Sequence, residues 1–188
     1  MKKILLLTFV LIGIVLLLRE EYKIKHYSDL YDSQVSKVES KDQVVFISGL
    51  GKYSQTDLEI VSKEITKMFG IQCEIIGPTQ TDSSLYTVDG KLKALSCGNS
   101  FNGSHKTVYV TNEYVMSHDR IVCGASYIDG NFIIISNNFN DLRSTTLHEM
   151  AHTLGLDHCE NKCILGEIEL GDKNGYFCND CKLKLNLK

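Results

Sequence analysis

The stretch Arg143-Ser144-Thr145-Thr146-Leu147-His148-Glu149-Met150-Ala151-His152-Thr153-Leu154-Gly155-Leu156-Asp157-His158 decides how this chain is read. Ser144 or Thr145 can cap a helix opening here. On that helix His148 and His152 are four residues apart, so both imidazoles project from one face, one turn apart. Two nitrogens at that spacing can reach one zinc ion at about 2.0–2.1 Å. Glu149 is carried to the side of the metal, where a carboxylate can hold and deprotonate a water whose pKa the ion lowers toward about 7. A helix continued past Thr153 would point residue 158 away. Gly155 can adopt the left-handed conformation that ends a helix, which brings His158 back as a third ligand. Three histidines leave a fourth position open, the mark of a catalytic zinc site.

Four of the seven cysteines lie just beyond this stretch. Cys159 follows His158 directly, Cys163 comes four residues later, and Cys178-Asn179-Asp180-Cys181 forms a C-x-x-C pair. Two close pairs separated by a loop have the spacing of a closed, structural zinc site, and two disulfides are the alternative. Cys73, Cys97 and Cys123 show no metal spacing and are read as buried thiols, with one disulfide among them an alternative.

Around these motifs the chain reads as a mixed α/β domain. Val44–Ile47 suits a buried strand. Ser54–Asp57 offers N-caps for a helix carrying Leu58, Val61, Ile65 and Met68 at helical spacing, and Gly70 is placed to end it. A second strand is expected at Ile71–Ile76, closed by Gly77-Pro78. Residues 79–102 are polar, with a turn at Asp89-Gly90, and Asn102-Gly103-Ser104 matches a glycosylation sequon. A third strand fits Thr107–Thr111. Ile121–Ile128 and Phe132–Ser136 flank Asp129-Gly130-Asn131 as a hairpin.

The N-terminus differs in kind. Lys2 and Lys3 precede an apolar run from Ile4 to Leu18, about 22 Å long as a helix against a hydrocarbon core of roughly 30 Å. That length fits a signal-peptide core, yet no small-residue cleavage site follows, so an uncleaved signal-anchor is the preferred reading. The expected organisation is a signal peptide or anchor over residues 1–21, a stalk over 22–42 and one domain over 43–188. The domain is then secreted or membrane-anchored and extracytoplasmic, touching the membrane only through the N-terminal segment. A formal charge of −3 with no basic cluster excludes a nucleic-acid partner.

The histidine motif followed at once by Cys159, and the closing Phe177-Cys178-Asn179-Asp180-Cys181, resemble the archaemetzincins, a family of metzincin zinc peptidases. Thr107–Thr111, Cys123–Ser126 and Phe132–Ser136 resemble the strands that precede the family's active-site helix. The resemblance implies a compact metzincin-like α/β domain with mixed sheet, an active-site helix, and a cleft above a small zinc-stapled C-terminal part. It implies two zinc ions: a catalytic one on His148, His152 and His158, with Glu149 as general base, and a structural one on Cys159, Cys163, Cys178 and Cys181. The implied activity is hydrolysis of peptide or protein substrates, and the chain is read as a monomer. The sequence departs from the family in two places: Leu165 stands where a methionine is usual, and the cysteine spacing is one residue shorter. These departures frame the alternatives, a weakly active or inactive zinc-stabilised binding module, or a disulfide-held, membrane-tethered interaction protein.

Overall fold

A computed structural model describes residues 44–139, 141–161, 163–166 and 176–187. The expected signal or anchor segment and the stalk lie outside these residues. Among the described residues no helix is long and apolar enough to cross a membrane.

The domain is built on a five-stranded sheet ordered β2-β1-β4-β8-β7. Its members are β1 (Val45–Gly49), β2 (Cys73–Ile75), β4 (Thr107–Thr111), β7 (Gly124–Ser126) and β8 (Phe132–Ser136). β2, β1, β4 and β8 are parallel, while β7 closes one edge antiparallel to β8, with Ala125 opposite Ile134. The central strands β4 and β8 are buried along their whole length, as continuous apolar runs in covered parallel sheets require.

Alternation along the strands divides the core. Val45, Ile47, Val108, Val110, Ile133 and Ile135 face helix α1 (Gln55–Phe69), through Leu58, Val61 and Ile65, and helix α3 (Leu142–Thr153), through Leu142 and Met150. Ser54 is the N-cap of α1, although its side chain makes no cap bond, and Gly70 ends the helix at φ 68°. Arg143 Nε lies 3.0 Å from Glu64 Oε2, tying α3 to α1. The opposite face carries Tyr109, Phe132 and Ile134, which pack against Leu85, Leu92, Ala94, Cys97 and Val115.

Three features differ from the sequence reading. The polar stretch 79–102 contains helix α2 (Ala94–Phe101), whose buried side is made of Ala94, Cys97 and Gly98 rather than large residues. The segment expected as one hairpin strand over Ile121–Ile128 is split between sheets. β6 (Arg120–Val122) joins β5 (Val115–Ser117) and β3 (Leu92–Lys93) in a second, three-stranded sheet ordered β3-β5-β6, and only Gly124–Ser126 pairs with β8. Helix α3 also begins at Leu142 with Asp141 as N-cap, not at Ser144 or Thr145. Ser144 Oγ donates to Asp141 Oδ2 at 3.0 Å, so the expected cap residue serves inside the first turn.

The C-terminal end of α3 is fixed by a buried lysine. Lys106, 5% exposed, donates from Nζ to Thr153 O at 2.8 Å and to Gly130 O. A cation there satisfies helix-end carbonyls and complements the dipole. Burial pushes its pKa down to about 8 from 10.5, against the opposing pull of Asp129. The unfolded chain then holds the proton more tightly than the folded one between those values, so this group adds stability as pH rises through that window. Denaturant unfolding of the wild type and Lys106→Met at pH 7.5 to 10.5 checks this; the wild-type curve is expected to rise and the variant's to lack that rise.

Candidate zinc sites

The histidine site grows out of the end of α3. His148 and His152 stand on one face of the helix, with ring centroids 4.5 Å apart. The helix ends at Thr153, and Gly155, at φ +89°, turns the chain. That turn carries His158 to 5.2 Å from His148 and 4.7 Å from His152, centroid to centroid. The donor atoms of all three fall within 4.8 Å of one another.

Hydrogen bonding fixes the tautomers of two of them. His148 Nδ1 lies 2.7 Å from Ile164 O, and His152 Nδ1 lies 2.6 Å from Leu156 O. A carbonyl only accepts, so each Nδ1 carries the proton and each Nε2 presents a bare lone pair. Those two Nε2 atoms are 2.9 Å apart. Two lone pairs facing each other so closely repel unless a cation lies between their directions. Around a tetrahedral zinc with bonds of about 2.0–2.1 Å the nitrogens stand about 3.3 Å apart, close to what is seen. Burial, then the neighbouring His148, lowers the pKa of His152, favouring the neutral form that a metal needs. The donor set fits zinc.

Glu149 is 7% exposed beside this site. Ser126 Oγ donates to its Oε2 at 2.7 Å. Burial raises the carboxyl's pKa, while the Ser126 bond and then His152 oppose the rise. Ser126 had no signal in the sequence, standing 23 residues from its partner on strand β7. Two residues earlier on the same strand, Gly124 leaves room for the carboxylate. A Cβ there would come within 2.8 Å of Glu149 Cγ and Thr145 Cγ2. The site opens into a cleft of about 330 Å³ between β6–β7 and the start of α3, lined by His148, Glu149 and His158 among others.

The four clustered cysteines also converge. Cys159 Sγ is 3.2 Å from Cys163 Sγ, which is 3.9 Å from Cys181 Sγ, and all four sulfurs lie within 4.8 Å of one another. None is in a disulfide. Sulfurs about 2.3 Å from a tetrahedral zinc stand about 3.8 Å apart, which this cluster approaches. Cys178 precedes the short helix α4 (Asn179–Lys184). Burial resists its ionisation, but hydrogen bonds from Cys181 and the neighbouring side chains outweigh that and bring its thiol down to about 7. The shorter cysteine spacing has not kept the sulfurs apart. Leu165, in place of the usual methionine, is fully buried among Leu147, Ala151, Leu156 and Phe177. Cys97 is a buried thiol as expected, and Cys73 and Cys123 are half-buried ones.

Residues 129–187 match peptidase family M54. The archaemetzincin of Sulfolobus acidocaldarius is 51% identical over 45 residues, covering 21% of this chain and 25% of that protein. That of Aeropyrum pernix is 44% identical over 52 residues, covering 25% and 28%. The matched stretch thus spans about a quarter of the length of these curated relatives. Among solved structures, the archaemetzincin of Archaeoglobus fulgidus, complexed with malonate, superposes with a TM-score of 0.67 at 18% identity, over 76% of this chain and 99% of that one. The archaemetzincin of Methanopyrus kandleri gives 0.64 at 16% identity, over 80% and 97%. The described domain thus shares the fold of these two solved structures. Over residues 129–187 the chain is thus similar to peptidase family M54 and to the archaemetzincins.

Gly155 tests the geometry of the turn. A Cβ there would meet nothing within 4 Å, so the cost of adding one is the positive φ alone. Gly155→Ala is expected to destabilise the fold by about 1–2 kcal/mol and to weaken zinc retention, read by denaturant unfolding and metal analysis.

Proposed function

We propose that the protein is a zinc metallopeptidase in which His148, His152 and His158 hold a catalytic zinc and Glu149 is the general base. The carrying observation is the pair of bare Nε2 lone pairs, 2.9 Å apart, beside a buried carboxylate at the floor of an open cleft. The match of residues 129–187 to peptidase family M54 supports the same reading.

Zinc, when bound, supplies a Lewis acid that polarises the scissile carbonyl and acidifies water. The protein's own groups do the rest. Glu149 takes the proton from the attacking water and delivers it to the departing amine. Ser126 holds Oε2, which fixes the plane of the carboxylate and leaves Oε1 to handle the proton. Gly124 keeps β7 close enough for that bond to form. β7 is also the edge strand of the sheet, so an extended peptide can pair along it and present its backbone to Glu149. The substrate class is therefore a peptide or protein segment in extended form. Cys159, Cys163, Cys178 and Cys181 hold a second, structural zinc with no open position.

Metal analysis of the purified chain is expected to give two zinc ions. A single ion would remove one of the two sites from this reading. Glu149→Gln should keep the metal and lose about 10²- to 10⁴-fold in kcat on a peptide library. Full activity in that variant would rule the mechanism out. Ser126→Ala is expected to lower kcat with little change in KM, and Ser126→Thr to recover part of the loss; equal losses in kcat and stability would make Ser126 merely structural.

A further inference from the structure

The two cysteine and histidine clusters share one short piece of backbone. Cys163 contributes a sulfur to the cysteine cluster, and the next residue, Ile164, gives its carbonyl to His148 Nδ1–H at 2.7 Å. The segment is pinned further by Leu165 N–H donating to Cys163 Sγ at 3.4 Å and by Cys159 N–H donating to Leu165 O at 2.9 Å. Cys159 is itself covalently next to His158. Two of the three histidines are thus aimed by residues that the cysteine cluster holds. His152 is not among them, since its Nδ1 partner is Leu156 O, in the turn that follows its own helix.

We propose that the cysteine cluster is the positioning element of the histidine site, acting on His148 through the Ile164 carbonyl and on His158 through Cys159. Metal in the cysteine site fixes Cys159 and Cys163, and with them the orientation of His148 and the position of His158. With the cysteine site empty, Ile164 O is no longer held against Nδ1, and the histidine triad is left with His152 alone in its working orientation. Outer partners of metal-bound histidines commonly carry about 10- to 100-fold in metal affinity, which sets the size of the expected effect. Coupling between two binding sites is reciprocal, so filling the histidine site tightens the cysteine site by the same factor. The inference rests on the reading of both clusters as zinc sites.

The test is a cobalt(II) titration of the metal-free full chain, in which thiolate charge-transfer absorption reports the cysteine site and d–d absorption of the nitrogen-bound ion reports the histidine site. The thiolate band is expected to complete first. Cys178→Ser removes a ligand that lies outside residues 159–166, and the serine hydroxyl can still accept the Asn161 Nδ2–H bond that the sulfur receives. It should weaken cobalt binding at the histidines by about 10- to 100-fold while the far-ultraviolet dichroism stays unchanged. An unchanged histidine-site affinity in this variant would overturn the coupling. Should the variant fail to fold, the wild-type filling order decides, and a histidine site that fills first at full affinity has the same overturning force. A chain that shows nitrogen-bound cobalt but never the thiolate band would instead refute the zinc reading of the cysteines, and the coupling with it. Neither readout depends on peptide cleavage.

Discussion

Two imidazole nitrogens without protons, 2.9 Å apart and each held in place from behind by a carbonyl, form the constraint on which the rest of this domain turns. Such a pair is unfavourable in isolation, because the lone pairs repel and neither ring can rotate away without leaving its Nδ1–H unpaired in a largely buried setting. The fold concentrates that cost at one point, where a divalent cation, when bound, would offset it. Everything near the site serves the arrangement. The buried helix α3 sets the four-residue spacing, Gly155 returns the chain, and Leu156 and Ile164 supply the carbonyls.

The same economy explains how a short C-terminal part with few large apolar residues holds its shape. Leu147, Ala151, Leu156, Ile164, Leu165 and Phe177 make a small core directly under the histidines. Phe177 meets Phe69 edge-on at 6.0 Å, joining that core to the end of α1. Leucine and methionine have similar volume, and Leu165 is fully buried within this core. A core of this size supplies limited stability alone, and a metal ion held by the four thiols beside it would add a cross-link that the apolar contacts do not.

What the sequence made legible follows from the range of the interactions. The histidine motif, β1, α1, β4 and β8 rest on local spacing or on continuous apolar runs, and each stands where expected within a residue or two. Helix α2 went unseen because its buried face uses Ala94, Cys97 and Gly98, with Gly98 pressed against the Tyr127 ring, so no apolar periodicity marks it. The switch between sheets at Cys123 has no local signal, since both halves of residues 120–126 are acceptable strand sequence. Asp141 and Ser144 are equally good caps, and tertiary packing chose the earlier one. Ser126 and the Ile164 carbonyl matter only through partners distant in the chain, one of them a backbone atom that every residue possesses.

The edges of the main sheet have a consequence for how copies of this protein meet. Both are three residues long: β2, with Glu74 at its centre, and β7, built of Gly124, Ala125 and Ser126. Pro78 follows β2 closely, and the chain crosses over from the other sheet just before β7. Short, interrupted edges give a second sheet little to template upon, which guards against ladder growth between molecules and against fibre formation. A flexible strand from another polypeptide needs far less length to dock. An edge that is poor at self-association can still accept a guest.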